Sequence, residues 1–421
     1  HYPLPTIHSE TPNLAMISID EALAHIAAHA RPLTVTTVSL HEALDRVLAE
    51  DVASDVDSPP HDKSIVDGYA VRSADVRTPD TRLTVIEEVV AGDVPRRAVA
   101  AGAATRIMTG APLPEGADVV VMVEQTEPVA DASPLGHVLI RTDRVTAGQN
   151  IMRRASSMRR GETVLAAGHR LRPLEIGLLA EVGRTEVGVV RQPGVAVLST
   201  GNELVPPGET PTAGQIRNSN GAMLLACVRR TGAEAVDLGI GRDDRPSLTE
   251  RIGTGLRSDV LLVSGGVSAG VLDLVPAVLG ELGVRQIFHK VAVKPGKPLW
   301  FGVLEAEGST KLVFGLPGNP VSSLVCFELF VRPALAVMSG RPFSAAPLRA
   351  ARLASGFDQR GDRVTYYPAI LRENEGALAI EPLSWKGSGD LRTLASANAL
   401  IRFPAGTRRF EAGEIVDVLE M

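Results

Sequence analysis

Three stretches of the chain place polar side chains and glycines directly after short apolar runs. Ser264-Gly265-Gly266 follows the run 260–263, and Ser268 and Asp273 come a few residues later. Stretches 194–204 and 314–320 have the same design, and the first of these ends near Glu203. In an open α/β sheet, ligands bind beyond the carboxyl ends of the strands, where glycine lets the backbone approach an anion. One such loop is equally expected of a tight turn, so the prediction depends on the repetition.

The third stretch also predicts a helix N-terminus. Asn319 is a favourable N-cap residue and Pro320 suits the first helical position, and such an end attracts phosphate. The nearby Val293-Lys-Pro-Gly-Lys-Pro298 places two cations, Lys294 and Lys297, around a rigid turn. Together these features predict one pocket for an anionic, phosphorylated ligand.

Composition excludes several classes of function. The 421 residues carry a net charge of -6, which argues against nucleic-acid binding through phosphate contacts. We find no apolar run that approaches the roughly 18 residues of a membrane span and no signal-peptide pattern, and residues 1–15 are expected to be a leader or processed tail. Cys227 and Cys326 lie in apolar helical patterns and are predicted to be core thiols. Two cysteines favour a cytoplasmic location.

The first half of the chain predicts helices around a β-rich segment. Ser18-Ile-Asp-Glu21 and Ser39-Leu-His-Glu42 are both capping boxes, predicting helices to about residues 30 and 50. His25 and His29 have metal-ligand spacing, but without the glutamate of a zinc-protease motif they favour a solvated face. Short β-type segments with many turns occupy 52–148, and a helix is predicted over 172–182.

The second half alternates strands and helices, which predicts βαβ units and a mostly parallel sheet over 186–341. A long helix over 319–339, kinked at Pro333, closes this region. Only β-type segments follow, and they fit a small antiparallel barrel or sandwich. The predicted class is therefore a multidomain α/β protein, whose proposed parts are a leader (1–15), a helical part (16–51 with 149–185), a β-rich insertion (52–148), an α/β domain (186–341) and a C-terminal β-barrel (342–421).

The chain resembles one family, the molybdopterin molybdenumtransferases, which comprises the MoeA proteins and the gephyrin E domain. The resemblance covers nearly everything from Met16. The motifs that carry it are Asp67-Gly-Tyr-Ala-Val71, Arg106-Ile-Met-Thr-Gly-Ala-Pro112, Pro114-Glu-Gly-Ala-Asp118, Gly148-Gln-Asn-Ile151, Ser199-Thr-Gly-Asn-Glu-Leu204, Ser264-Gly-Gly-Val-Ser-Ala-Gly270 with Asp273, Lys294-Pro-Gly-Lys-Pro298 and Leu316-Pro-Gly-Asn-Pro-Val-Ser322.

The resemblance implies a function and an assembly. Molybdate enters the dithiolene of adenylylated molybdopterin, and the adenylyl-phosphate bond is cleaved with Mg²⁺, so that molybdenum cofactor and AMP leave. The implied fold has the four parts given above and an α/β domain shared with the adenylylating enzymes. It also implies a homodimer whose cleft lies between the α/β domain of one subunit and the insertion of the other. A molybdopterin adenylyltransferase and apo-molybdoenzymes are the implied partners, with no nucleic acid and no membrane.

Site roles also come from the resemblance. Asp67, Glu203 and Asp244 are the implied catalytic residues and Mg²⁺ ligands, and hard carboxylates suit that ion. The alternatives are that Asp244 or Asp273 only caps the helix that follows it. The implied substrate-binding residues are Thr109, Gly265, Gly266, Ser268, Asp273, Lys294, Lys297, Pro317, Gly318, Asn319, Pro320 and Ser388.

Three positions depart from the family pattern, because Ser157, Asn218 and Val271 replace carboxylates. Fewer negative charges would weaken metal binding or favour oxyanions in the cleft. The alternative function is therefore a catalytically weakened paralogue that binds or carries molybdopterin or molybdenum cofactor. A scaffold role and an adenylyltransferase activity are less favoured, since no added scaffold domain or long linker is seen and the extra domains disfavour an adenylyltransferase.

Overall fold

The computed structural model describes residues 16–130, 133–267, 274–306, 308–374 and 376–421. The chain divides into two compact units. The first comprises the residues up to Val38, Asp45–Ala49 and Gly188–Met421, and the second comprises Ser39–Leu44 and Glu50–Val187. The finer division into four domains stays a prediction. The predicted leader lies outside the described residues.

The helices of the described residues lie mainly in the first unit. The predicted capping box opens the first helix, because Ser18 and Glu21 exchange side-chain-to-backbone hydrogen bonds. The helices are α1 (Ile19–His29), α2 (Pro173–Glu181), α3 (Ser219–Arg230), α4 (Arg245–Gly255), α5 (Leu274–Glu281), α6 (Pro320–Cys326), α7 (Arg332–Met338) and α8 (Leu391–Ser396).

The prediction of a helix after Ser39 is wrong. Ser39 and Glu42 do interact, since the hydroxyl of Ser39 donates to Oε2 of Glu42 at 2.8 Å, but only turns follow. Asp45 adopts a left-handed backbone with φ 64°. The N–H of Ala49 then donates to the carbonyl of Gly188 at 2.8 Å, which is a strand-like pairing. Tertiary pairing has therefore overridden a local helix signal.

The second unit is built on a six-stranded sheet with strand order β7-β4-β6-β5-β9-β8. Apolar residues on both of its faces are buried, so the β-rich character predicted for this stretch is correct. The strands of the first half of the chain are β1 (Val35–Ser39), β2 (Val52–Ala53), β3 (Lys63–Ser64), β4 (Gly68–Val71), β5 (Thr81–Val89), β6 (Ala103–Ile107), β7 (Val119–Met122), β8 (Thr126–Val129), β9 (His137–Ile140), β10 (Ile151–Met152), β11 (Thr163–Leu165) and β12 (Glu186–Val190).

The first unit contains a second six-stranded sheet, of order β16-β13-β17-β21-β20-β18. The pairings from β16 to β21 are parallel, whereas β20 pairs antiparallel with both of its neighbours. The mostly parallel sheet is thus confirmed. Its strands and their short neighbours are β13 (Gly194–Thr200), β14 (Leu204–Val205), β15 (Ile216–Arg217), β16 (Glu234–Gly241), β17 (Val260–Ser264), β18 (Arg285–His289), β19 (Val293–Lys294), β20 (Trp300–Ala306) and β21 (Ser309–Leu316).

Strand β17 is buried on both faces, as its unbroken apolar run predicted. Val260 and Leu262 belong to one core cluster, and Leu261 and Val263 belong to another. Successive strand residues point to opposite faces, so the sheet is covered on both sides. This arrangement is typical of parallel sheets with helices on each face.

The C-terminal strands form a closed barrel, as predicted. Strands β24, β25, β22, β28 and β26 follow one another, and an additional β24–β26 pairing closes the ring. These strands are β22 (Leu348–Leu353), β23 (Phe357–Gln359), β24 (Val364–Asn374), β25 (Ala377–Pro382), β26 (Ala399–Phe403), β27 (Arg408–Phe410) and β28 (Ile415–Glu420). Phe403 lies in the core of the barrel, stacked on Phe357 with a 4.4 Å centroid distance.

The long predicted helix is present as α6, a π-helical segment Phe327–Val331 and α7. The irregularity comes just before Pro333, whose missing N–H cannot support a regular helix ladder. Contrary to our expectation for the sequence, the run Pro320–Met338 has the length and apolarity of a membrane span, with 19 residues and a mean hydropathy of 1.7. However, 83% of that window is buried inside the protein, as in a core helix.

His25, His29 and the two cysteines of this unit pack against or within its apolar core. His25 and His29 do not form a solvated face, because their rings lie 6.1 Å from Phe288 and 6.2 Å from Phe301. Burial, and then the neighbouring His29, lower the pKa of His25. Both free cysteines are buried, as predicted.

Candidate functional site

The carboxyl ends of three parallel strands open into a cavity of about 740 Å³. Ser264 is the register partner of both Ser199 and Leu316, so the loops after β13, β17 and β21 begin at one edge of the sheet. The predicted meeting of these loops is therefore observed within the first unit. Residues 199–204, 216–220, 243, 264–266, 274, 318–320, 389 and 391 line the cavity.

The turn after β17 requires two consecutive glycines. Gly265 and Gly266 have φ of 94° and 64°, a backbone region that other residues rarely adopt. A Cβ on Gly265 would lie 2.6 Å from the carbonyl oxygen of Thr200, and one on Gly266 would lie 2.8 Å from Oγ1 of Thr200. The two glycines thus keep this wall of the cavity thin and its backbone close to the interior.

The loop after β13 places a carboxylate at the cavity. Glu203 lines it, and a Cβ on Gly201 would lie 2.6 Å from Oε2 of Glu203, so the carboxylate covers that glycine. Asn202 and Asp243 clamp this loop to the one after β16. The N–H of Asn202 donates to Oδ2 of Asp243 at 3.2 Å, and the N–H of Asp243 donates to Oδ1 of Asn202 at 3.1 Å.

The structure gives one candidate carboxylate a helix-capping contact, and its predicted catalytic role stays a prediction. Asp244 is the N-cap of α4, and its Oδ1 accepts a hydrogen bond from the N–H of Ser247 at 2.8 Å. It does not line the cavity, whereas its neighbour Asp243 does. An exposed aspartate preceding Pro246 by two residues has a sufficient explanation as a helix cap. The sequence offered two adjacent acids, and nothing in their spacing distinguished the cap from the cavity-lining residue.

Sequence reasoning missed Asn220 in the first turn of α3, although it had singled out Asn218 as a departure from the family pattern. Asn218 caps this helix by accepting from the N–H of Gly221 at 2.9 Å, and Asn220 donates from Nδ2 to the carbonyl of Gly318 at 2.7 Å. Both asparagines are buried and line the cavity. The only signal in the sequence was the polar stretch Arg217-Asn-Ser-Asn220 before an apolar helical pattern.

The loop after β21 contacts Ser388, the residue that the last part of the chain was predicted to contribute to the site. Gly318, Asn319 and Pro320 line the cavity, while Pro317 is buried beneath them and its carbonyl accepts from the hydroxyl of Ser323. The N–H of Val321 donates to the carbonyl of Ser388 at 3.1 Å. Ser388 is thus held at the start of α6, although the adjacent Gly389 and Leu391 are the residues that line the cavity.

The two predicted lysines lie outside the cavity lining. Lys294 belongs to β19 and pairs with Thr365 of β24, and Lys297 is exposed. Their loop is packed from below by Cys326, since a Cβ on Gly296 would lie 2.7 Å from its sulfur. Their phosphate-binding role stays a prediction.

In the second unit, Asp67 and Thr109 are in direct contact. Oδ1 of Asp67 accepts from both the backbone N–H and the hydroxyl of Thr109, each at 2.7 Å. The backbone hydrogen bond, followed by the side-chain one, lowers the pKa of Asp67. An exposed carboxylate is thus held ionised at the start of β4.

Carboxylates are the groups of this cavity that could bind Mg²⁺. No group of three or more His, Cys, Asp or Glu side chains suited to a metal occurs within the ranges that the structure describes. Two cavity-lining carboxylates, Glu203 and Asp243, are nevertheless sufficient for an ion that uses one or two carboxylates and completes its shell with water and substrate phosphate. The residues present therefore fit Mg²⁺.

The positions that depart from the family pattern have ordinary structural contacts. Ser157 donates its backbone N–H to the carbonyl of Ser58 at 2.9 Å. Asn218 performs the helix-capping role that an aspartate would perform equally well. Val271, Ser268 and Asp273 lie outside the described residues.

The fold and the site together define a class, a multidomain α/β protein with a strand-end ligand cavity and a C-terminal barrel. The family model of the MoeA N-terminal region (domain I and II) matches residues 17–183. A probable molybdopterin binding domain matches residues 196–337, and the MoeA C-terminal region (domain IV) matches residues 350–421.

Individual proteins agree with these models. The molybdopterin molybdenumtransferase of Bacillus subtilis (strain 168) is 35% identical over 410 residues, covering 96% of this chain and 94% of that protein. Two structures of the molybdopterin biosynthesis MoeA protein from Pyrococcus horikoshii superpose with TM-scores of 0.80 at 34% and 31% identity. They cover 96% and 97% of this chain, and 99% and 100% of their own. The chain belongs to the molybdopterin molybdenumtransferase family, which acts in molybdenum cofactor biosynthesis.

Proposed function

We propose that this chain inserts molybdenum from molybdate into adenylylated molybdopterin and releases AMP, the final step of molybdenum cofactor biosynthesis. The observation that carries the proposal is the strand-end cavity, whose volume of about 740 Å³ suits a small-molecule ligand. Its glycine turn exposes backbone toward the ligand, and two carboxylates stand on its wall. Family membership supplies the reaction class.

In the proposed site, Glu203 and Asp243 would hold Mg²⁺, and Asp67 is a further proposed catalytic carboxylate. The ion supplies neutralising charge for the phosphate oxygens. The chain's own groups do the positioning. Backbone N–H groups of Gly266, Gly318 and Asn319 orient the substrate, and Lys294 and Lys297 attract its phosphates and molybdate.

We further propose a homodimer in the cytoplasm that receives substrate from a molybdopterin adenylyltransferase and passes its product to apo-molybdoenzymes. Nothing observed favours the weakened carrier in particular. Of the three departures behind that alternative, Asn218 keeps the structural task of the acid it replaces.

The test is an insertion assay. The purified chain is incubated with adenylylated molybdopterin, molybdate and Mg²⁺ while AMP release and activation of an apo-molybdoenzyme are followed. AMP together with active acceptor supports the insertase. Tight binding without AMP would instead support the carrier.

The matched variants are Asp67→Ala and Asp118→Ala. Both carboxylates accept hydrogen bonds from a neighbouring backbone N–H and hydroxyl, since Asp118 accepts from N and Oγ of Ser73 at 2.6 and 2.7 Å. We expect Asp67→Ala to abolish AMP release, and because it loses the same kind of hydrogen-bond pair as Asp118→Ala, its unfolding temperature should fall no further than that of Asp118→Ala. Asp118→Ala should lower the unfolding temperature and leave the activity per folded molecule intact. Full activity of Asp67→Ala would remove Asp67 from the site.

A further inference from the structure

Three buried polar side-chain atoms at the cavity wall of the first unit, on Ser199, Thr200 and Asn220, have no hydrogen-bond partner in the described part of the chain. Ser199 is 1% exposed and Asn220 is 9% exposed. Neither Oγ of Ser199 nor Oδ1 of Asn220 has a hydrogen-bond partner in the described part of the chain. Buried polar side-chain atoms are usually paired, so each exception calls for an explanation.

Ser199 and Asn220, whose Oγ and Oδ1 are unpaired, belong to one cluster of side chains. Ser199 and Ser264 are register partners on adjacent parallel strands, so their side chains share one face of the sheet. Nδ2 of Asn220 donates to Oγ of Ser264 at 2.9 Å. The first turn of α3 also approaches Ser199 closely, because a Cβ on Gly221 would lie 3.1 Å from Oγ of Ser199. We call Ser199 and Asn220 the acceptor pair.

The contacts of Asn220 determine which end of its amide remains unpaired. Its other partner is the carbonyl of Gly318 at 2.7 Å, and a carbonyl can only accept. The amide nitrogen must therefore face Gly318, which leaves Oδ1 as the unpaired atom. Oδ1 can be satisfied only by a group that brings a hydrogen.

This requirement excludes the anionic oxygens of the proposed substrate and leaves its N–H and O–H groups. Molybdate and the substrate phosphates are ionised at neutral pH and offer mainly acceptor oxygens, so they do not satisfy Oδ1. A pterin ring carries an amino group and a ring N–H beside acceptor atoms. The hydroxyl of Ser199 can donate or accept and thus suits either kind of neighbouring ring atom.

We propose that Ser199 and Asn220 bind the N–H edge of the substrate's pterin ring and so orient the heterocycle within the cavity. This inference rests on the proposed function. It assigns the heterocycle to the start of α3, away from the anion-binding loops. Unpaired buried polar groups destabilise a fold, so ligand binding gives a reason for keeping them.

The experiment compares two buried serines with opposite hydrogen-bonding states. Ser199→Ala removes an unpaired hydroxyl. Ser339→Ala removes one that is paired with Oε1 of Gln192 at 3.0 Å and with the carbonyl of Leu335 at 2.8 Å, and Ser339 does not line the cavity. Affinity for adenylylated molybdopterin is measured by anaerobic titration calorimetry on the full chain.

We expect Ser199→Ala to weaken substrate binding about tenfold while leaving the unfolding temperature equal or higher. Ser339→Ala should do the reverse, with a lower unfolding temperature and unchanged affinity. An unchanged affinity of Ser199→Ala would overturn the inference, and so would a lower unfolding temperature as its main effect.

Asn220→Ala completes a double-mutant cycle. If both residues hold the same ring edge, the affinity loss of the double variant should be smaller than the product of the single losses.

Competition experiments test which chemical group of the substrate the acceptor pair binds. Free pterin (2-amino-4-oxopteridine) should compete about tenfold less well against Ser199→Ala than against the wild type, while competition by inorganic phosphate stays the same. A change for phosphate alone would assign the pair to an anion instead.

The inference and the proposed function fail in distinguishable ways. Wild-type protein that binds substrate without releasing AMP contradicts the insertase but still allows the affinity comparison. Wild-type turnover with equal affinities for wild type and Ser199→Ala contradicts only the acceptor pair. Absence of any wild-type binding overturns both.

Discussion

The turn at Gly265 allows a quantitative test of how the cavity wall is built. Gly265→Ala adds one methyl group at a backbone φ of 94°, where the new Cβ would lie 2.6 Å from the carbonyl oxygen of Thr200. Real Cβ contacts under 3.0 Å essentially never occur, so the turn or strand β13 must move. Both the left-handed backbone and the overlap should therefore destabilise the first unit.

Gly413 separates these two contributions. It has nearly the same backbone, with φ of 89°, but nothing lies within 4 Å of its hypothetical Cβ. A left-handed non-glycine residue costs about 1 kcal/mol, so that is the expected effect of Gly413→Ala. Overpacking in a closed site adds about 1–3 kcal/mol. We therefore expect Gly265→Ala to lower the free energy of unfolding by about 2–4 kcal/mol.

Tryptophan fluorescence gives a selective measurement. The chain has two tryptophans, Trp300 and Trp385, and both belong to the first unit. Their emission during urea unfolding therefore reports that unit alone. Equal shifts in the urea midpoint for Gly265→Ala and Gly413→Ala would refute the close-contact argument. Substrate affinity should also fall for Gly265→Ala only, because its methyl group displaces a cavity wall.

Three further predictions concern charged and thiol groups. Asp243→Asn should raise the Mg²⁺ concentration needed for activity, whereas Asp244→Asn should not, since asparagine also caps α4; the reverse result would restore Asp244 as the metal ligand. Burial would raise the pKa of Asp259, but hydrogen bonds from Arg191 and a backbone N–H outweigh burial and lower that pKa. The stabilisation of the fold by the ionised Asp259 should therefore disappear as the pH falls below about 4. Acid unfolding titrations of the wild type and Asp259→Asn would show this loss. Burial raises the pKa of Cys227 to about 11 and that of Cys326 further, so a thiol reagent at pH 8 should label neither until the protein unfolds; labelling of the native protein would contradict this.

Much of the fold could be predicted from local patterns. The apolar run before Ser264 is long enough for one strand and has no polar alternation, which required burial on both faces and hence a parallel sheet with helices on each side. The C-terminal β-type segments likewise form a closed barrel, although the structure adds the helix α8 that the sequence did not predict. These features depend on side-chain periodicity, which the sequence states directly.

Local patterns failed where a distant segment competed. The N–H of Ser39 donates to Oε2 of Glu42 at 3.3 Å, which is one half of a capping box, yet Ala49 pairs with Gly188 and the helix does not form. The sequence around His25 and His29 predicted a solvated helix face, but their rings lie close to Phe288 of β18 and Phe301 of β20. In each case the partner is more than a hundred residues away, so no local window contains it.

The sequence by itself determined the kinds of groups at the site: glycine turns, strand-end hydroxyls and adjacent acids. Only the tertiary structure decided which of Asp243 and Asp244 faces the cavity, because that choice depends on where α4 begins. It also decided that Oγ of Ser199 and Oδ1 of Asn220 are buried without hydrogen-bond partners among the described residues, since the pairing of a polar atom depends on every element packed around it. Residue types follow from the chain, whereas burial and hydrogen-bond satisfaction arise only when distant segments come together.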